Sequence, residues 1–206
     1  MHSRLLIVPF ILAFGAPGYA GAQASQHTSF GLVGAVNLAT FGGSDASGAK
    51  NRVGFSLGGF ARIPMSAMWS FQPEVEYAGK GAKTSDSFAT GTVDLSYIEV
   101  PLLFRVSAPS TPAGQLYAEL GPAVAFKIDC TISGSSGGIT VSGSCADAGA
   151  DIKTMDVGGV VGAGYEFPLN SMALSIGVRY NYGLTEIASN ANTKNRNLQF
   201  VAGLRL

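Results

Sequence analysis

The sequence predicts an all-β chain, an eight-stranded antiparallel up-and-down β-barrel, and three observations predict it. Eight segments alternate apolar and polar residues with period two, the mark of strands that present one greasy and one polar face. The connections between them alternate long and short, as expected when every other connection lies at the same end of a barrel. Charged residues make up only 13% of the 206, against about 25% in an ordinary soluble domain, while 28 glycines suit closely packed, twisted strands.

The clearest strand is Trp69–Ala78, with Trp69, Phe71, Pro73, Val75 and Tyr77 on one parity and Ser70, Gln72, Glu74, Glu76 and Ala78 on the other. Before it come Thr28–Leu38, a Gly/Ser/Asp-rich loop from Ala39 to Asn51, and Arg52–Arg62, where Phe60 breaks the alternation by sharing the arginine face. Lys80–Thr92 is polar and reads as a second loop. Val93–Val106 sets Ile98, Val100, Leu102 and Phe104 against Tyr97, Glu99, Leu103 and Arg105. After a Pro-containing turn, Gln115–Ile128 sets Leu116, Leu120, Val124 and Phe126 against Tyr117, Glu119 and Lys127. A long Gly/Ser-rich loop runs to Met155, followed by Asp156–Phe167, a tight turn, Met172–Gly183, a loop over Leu184–Arg196 and a last strand ending at Leu206.

Which face looks outward decides the class. A soluble eight-stranded barrel would turn its charges to water and its apolar parity into a ligand cavity. The apolar parity here holds too many large side chains for so small an interior. The other parity is small, glycine-rich and sparsely charged, which suits a narrow lumen. The fold class expected is therefore a transmembrane β-barrel. Its lumen receives Glu74, Glu76, Glu99, Glu119 and Glu166, matched by Arg62, Arg105, Lys127, Arg179 and Arg205. Trp69, Phe71, Tyr77, Phe104, Tyr165, Phe167, Tyr180 and Tyr182 are the candidate membrane-interface aromatics. An interior filled by such pairs predicts a plugged barrel without a wide pore.

Residues 1–22 read as a signal peptide, with Arg4 before an apolar run over Leu5–Phe14 and an Ala20-Gly21-Ala22 cleavage site, leaving 23–206 as the barrel domain. In an exported chain Cys130 and Cys145 read as a disulfide. Thirteen basic residues balance 13 acidic ones, so no nucleic-acid footprint is present. Glu74 and Glu76 share a face as hydrolytic carboxylates do, but pairing with lumen cations accounts for them. His27 is the only histidine beyond the signal and precedes the first strand, so no serine has a base to activate it. Asp129, Asp147, Asp151 and Asp156 match no calcium-loop spacing and read as solvated loop acids. Gly158, Gly159, Gly162 and Gly164 lie inside a strand, where a dinucleotide fingerprint does not. Lys80 and Lys83 read as loop lysines. No enzyme activity, cofactor or metal is expected.

Four stretches resemble the PorT-like outer-membrane β-barrel domain family, common among small exported proteins of Bacteroidetes-type bacteria. They are Phe71-Gln72-Pro73-Glu74 running to Lys80-Gly81-Ala82-Lys83, Tyr97-Ile98-Glu99-Val100-Pro101-Leu102-Leu103, Glu119-Leu120-Gly121-Pro122, and Lys194-Asn195-Arg196-Asn197. The resemblance implies an outer-membrane location and an eight-stranded barrel. It implies no single activity, since some members serve a secretion system linked to gliding motility. The partners expected are outer-membrane lipid, the barrel-insertion machinery and an envelope protein. The chain ends in Leu206 where such barrels usually end in an aromatic residue.

Overall fold

A computed structural model describes residues 27–85, 89–189 and 191–206; the segment read as a signal peptide lies outside them. Nine antiparallel strands run in order: β1 Ser29–Gly42, β2 Arg52–Pro64, β3 Trp69–Ser85, β4 Ala89–Ser107, β5 Gln115–Ser136, β6 Ile139–Ser144, β7 Met155–Leu169, β8 Met172–Gly183 and β9 Lys194–Arg205. Neighbours in sequence pair with each other, except that β5 pairs both β6 and β7. The sheet closes where β1 pairs β9, over Gly31↔Arg205 to Gly42↔Lys194. Eight strands form the closed barrel, and β6 is an extra strand folded back on the far end of β5.

The apolar parity faces out. Phe30, Leu32, Leu57, Val75, Leu120, Val161, Ile176 and Phe200 are exposed, whereas Glu74, Glu119, Arg105 and Arg179 are buried. This inversion is stable only if the outer wall meets hydrocarbon, because charges gain nothing by hiding from a watery exterior. A shallow groove on that wall, where Gly34, Ala163 and Ala202 lie between Val36, Leu116 and Phe200, is of the same apolar character.

The two ends differ. At the turn end the connections are short, and Asn170 adopts a left-handed φ of 55° in the two-residue turn between β7 and β8. At the loop end the strands run further than the alternation predicts. The expected loop over Lys80–Thr92 is mostly a ladder, pairing Lys83 with Thr92 and Ser85 with Thr90. The cysteine loop likewise contains the upper part of β5 and all of β6. Their Gly137-Gly138 turn has φ of 58° and 83°, the backbone that a two-residue hairpin demands. The reason is physical: above the lipid neither face need be apolar, so a strand persists without the alternation that reveals it.

One register shift divides the molecule. Tyr97 pairs with Lys127 but Ser96 pairs with Asp129, leaving Ile128 as an extra residue in β5. A bulge reverses parity along its strand. Below it the odd residues of β5, such as Tyr117 and Ala125, face in; above it Cys130 does.

Candidate functional site

The lumen is organised around Arg179 on β8. Its Nη1 and Nη2 donate to the two oxygens of Glu74 at 2.7 and 2.8 Å, and its Nε donates to Glu119 Oε1 at 2.5 Å. Glu76 lies 3.4 Å from Nη1. The planar fork of guanidinium matches such a paired demand bidentately, where a lysine would act as a point charge. Nearer the turn end Glu166 gathers three bases: Arg62 at 2.5 Å, Arg105 at 2.9 Å and, from the rim, Arg205 at 3.5 Å. Arg105 also lies 3.9 Å from Glu119, so the two clusters share a carboxylate. Gln72 joins them from the side, accepting from Arg62 at 2.8 Å and donating to Glu74 at 2.6 Å.

Inward aromatics fill what the charges leave. Tyr117 lies under the Arg105 guanidinium, 3.4 Å from ring centroid to carbon, and covers Gly164 and Gly177. A Cβ at either glycine would come within 2.5 Å of its hydroxyl. Phe60 covers Gly31 in the same way. The break in alternation at Phe60 is thus a plug: it is buried beside Arg62, whose guanidinium is 5.4 Å from its ring.

Toward the loop end the contents become amides. Lys80 meets Glu99 at 2.8 Å, Asn181 donates to Glu99 at 3.2 Å, and Asn195 donates to Asp156 at 2.7 Å and Tyr97 at 3.2 Å. Above these sits an apolar cap of Leu95, Tyr97, Ala125, Ile187 and the disulfide-bonded Cys130 and Cys145. Its loops are tied together: Lys153 N donates to Ile187 O at 2.8 Å, Asn192 N to Asp45 Oδ2 at 2.8 Å, and Lys50 and Lys83 exchange backbone bonds.

Of the lumen charges expected from sequence, all but Lys127 lie in this network. Lys127 is a correction: it sits at the bulge, above the carboxylate layers, and its amine donates to the Ile152 carbonyl of the cap. Lys80 is a second correction, a buried strand residue in place of a loop lysine. Its parity continues Gln72, Glu74 and Glu76, and that signal was present in the sequence. Asp156 is a third: it is buried and accepts from Thr185 at 2.6 Å and from Asn195, while Asp147 bonds Ser144 at 2.7 Å. Among the described residues no three His, Cys, Asp or Glu side chains gather as a metal-binding group. The aromatics named for the interface lie on the outer side, with Phe71 against Phe104 at 5.2 Å, Tyr165 against Phe167 at 4.7 Å, and Tyr182 stacked under Arg196 at 3.6 Å. Trp69, Tyr180 and Tyr182 are exposed, and Tyr77 bonds Ser96 through its hydroxyl at 2.9 Å.

A closed antiparallel barrel with an apolar outer wall and ionic interior defines an integral outer-membrane protein. The chain belongs to the family described as Outer membrane protein beta-barrel domain, which matches residues 22–189, and it is located in the outer membrane of Gram-negative bacteria. Among solved structures it is similar to Neisserial surface protein A, at 18% identity and a TM-score of 0.52, covering 87% of this chain and 98% of that one. It is also similar to Ail, the attachment invasion locus protein of Yersinia pestis, at 18% identity, a TM-score of 0.44 and coverage of 87% and 97%. OprG from Pseudomonas aeruginosa follows, at 13%, 0.44, and 87% and 95%. The first of these shows the shared fold. A search of curated proteins found no relative.

Proposed function

We propose that the protein is a non-enzymatic outer-membrane barrel whose lumen is sealed and whose accessible work is done by its cap. The observation that carries this reading is the pairing of the buried charges with one another: Arg105, Glu74 and Glu119 are each no more than 2% exposed, and each lies within 4 Å of an opposite charge. Water-filled pores leave such groups wet. Sealing leaves the loop end as the surface that meets another molecule, and a cleft of about 380 Å³ lies there, lined by Phe41, Val93, Ile132, Ile152 and Ile187 with Asp45 at its edge. The disulfide and the inter-loop bonds hold that cleft in one shape, which lowers the ordering cost of binding an envelope partner.

The outward aromatics support placement in lipid. Trp69, Phe71, Phe104, Tyr165 and Phe167 fall within five residues of the turn end of their strands, and Tyr77, Tyr180 and Tyr182 fall nine to eleven residues along theirs. At roughly 2.5 Å of height per tilted residue this puts the centres of the two tiers about 15 Å apart, with the outermost members, Trp69 and Tyr182, separated by about the 25 Å of an apolar band. The turn end faces the periplasm in this reading, and the alternating β9 is the segment read by the insertion machinery.

A narrower, PorT-like role as a secretion accessory rests on a pit of about 240 Å³ at the turn end, lined by Arg62, Trp69, Gln115, Glu166 and Arg205, which offers a periplasmic partner a polar foothold. Planar-bilayer recording and native co-purification test both readings. A sealed barrel gives no large, stable conductance and retains its partner through the cap. Stable channel openings by the wild-type protein overturn the seal, and a partner lost on mutating the turn-end pit, with the cap intact, favours the accessory role.

A further inference from the structure

Charge is balanced in the lower lumen and unbalanced in the upper. Below, Glu74, Glu76, Glu119 and Glu166 meet Arg62, Arg105, Arg179 and Arg205. Above, Glu99 and Asp156 share an enclosed cavity with Lys80 alone, a formal surplus of one negative charge. The half-exposed Lys127 is committed to the Ile152 carbonyl and does not line this cavity.

The same cavity has a surplus of acceptors. Asn181 and Asn195 spend their amide nitrogens on Glu99 Oε1 and Asp156 Oδ2, which fixes both amides with Oδ1 free. Those two oxygens, Glu99 Oε2, and both polar atoms of Asn197 are buried without a hydrogen-bond partner in the protein. Asn197 is 1% exposed. Glu99 Oε2 is touched by the Lys80 ammonium at 2.8 Å, but not along a hydrogen-bonding direction. A water molecule brings two protons and leaves acceptors over. A cation satisfies all four oxygens and cancels the surplus charge. The cavity measures about 10 Å³ for a water-sized centre, room for one small particle. A divalent ion such as calcium takes six to eight oxygens and more carboxylate than this site has.

We propose that the upper lumen binds one monovalent cation of sodium size, held by Glu99 Oε2 and the side-chain oxygens of Asn181, Asn195 and Asn197. The ion ties β4, β8 and β9 together directly beneath the cap. It is a structural site: the cavity is enclosed, and no path through the lower cluster is required of it.

The test uses the full mature protein folded in detergent micelles. Thermal unfolding is followed in sodium chloride and in choline chloride at equal ionic strength, and crystals grown in sodium chloride are examined at high resolution. Binding to the folded state alone raises the midpoint in sodium, here by about 3 °C or more for a chain of this size. Asn197→Leu removes a ligand at similar volume and should abolish the difference. Lys80→Met removes the competing ammonium and should enlarge it. Equal midpoints in the two salts for wild type, or no gain in Lys80→Met, overturn the site. Should Asn197→Leu fail to fold, the wild-type crystals decide: a peak among the four oxygens with contacts shorter than hydrogen bonds supports the proposal, and density at ordinary water distances there refutes it.

Discussion

The lower barrel and the cap are built from the same strands with opposite interiors. Below the bulge at Ile128, β4 and β5 turn Arg105 and Glu119 inward and Phe104 and Leu120 outward; above it they turn Leu95 and Cys130 inward. The difference teaches that polarity follows the solvent outside the wall. Where acyl chains surround the barrel, the interior tolerates charges that pair with one another, set between small apolar clusters such as Val33, Phe60 and Val201. Where water surrounds it, the hydrophobic effect is restored and the interior becomes an ordinary apolar core. One inserted residue effects the change of parity in β5 where the two regimes meet.

The sharpest way to break the comparison is to spoil the ionic interior. Arg179→Leu leaves Glu74, Glu76 and Glu119 without their common partner. Removing one member of a buried pair costs about 3 to 5 kcal/mol, and here Glu74 and Glu76 lose their paired cation while Glu119 keeps Arg105 at 3.9 Å. The expected outcome is a large drop in the denaturant midpoint of the folded barrel, or failure to refold. Adding Glu74→Gln and Glu119→Gln should recover part of the loss. An unchanged midpoint for Arg179→Leu would mean that the cluster contributes nothing to holding the barrel closed.

A second contrast places the same charge on the outer wall of each region. Val161 and Val141 are both exposed, at 57% and 71%, but one belongs to the membrane-facing wall of β7 and the other to the β6 hairpin. Val161 pairs with Tyr180, so Val161→Arg should cost about 2 kcal/mol in lipid, between the cost of arginine at the bilayer midplane and at its interface. Val141→Arg should stay within about 0.5 kcal/mol, as surface changes usually do. Folding free energies measured in vesicles check both. Equal costs would place β6 in lipid and erase the distinction between regions.

That distinction also explains what the sequence made legible. Between Phe30 and Phe200 the lipid-facing positions had to be apolar while the lumen positions were free to be charged, so the alternation showed eight strands and put Glu74, Glu119 and Arg179 on one face. Above the lipid this constraint lapses. Lys83-Thr84-Ser85 and Ile132-Ser133-Gly134 form ladders although nothing in their pattern separates strand from loop. Lys127 was misplaced for a related reason, since its parity was correct but its height was not, and period two carries no height. Asn181, Asn195 and Asn197 were not marked as a lumen site because a neutral amide on the lumen face is what any polar face would hold.

The disulfide tests whether the cap is a unit of its own. Replacing both Cys130 and Cys145 by serine opens a loop with a sequence separation of 15 residues, for which loop entropy accounts for up to about 3 kcal/mol. Since the pair packs against Leu95 and Ile187, the loss should fall on the cap alone. Protease should then cut between residues 131 and 154 while the lower barrel keeps its resistance and its denaturant midpoint. A fall in that midpoint equal to the cap's loss would join the two regions into one cooperative structure.

The smallest effect separates the two lysines that parity alone placed together or apart. Lys80 faces Glu99 in the closed interior, whereas Lys127 gives one hydrogen bond to Ile152 at the half-exposed base of the cap. Lys127→Met therefore removes a single bond to a carbonyl that water can reach, a change of about 1 kcal/mol, and the chain should refold with the lower barrel unaltered. The loss should appear as faster amide exchange around Ile152 and Lys153, where the cap is tied to Ile187. If Lys127→Met instead lowers the global midpoint as far as Lys80→Met does, then the ionic interior extends through the bulge and the boundary between the two regions lies higher than Tyr97.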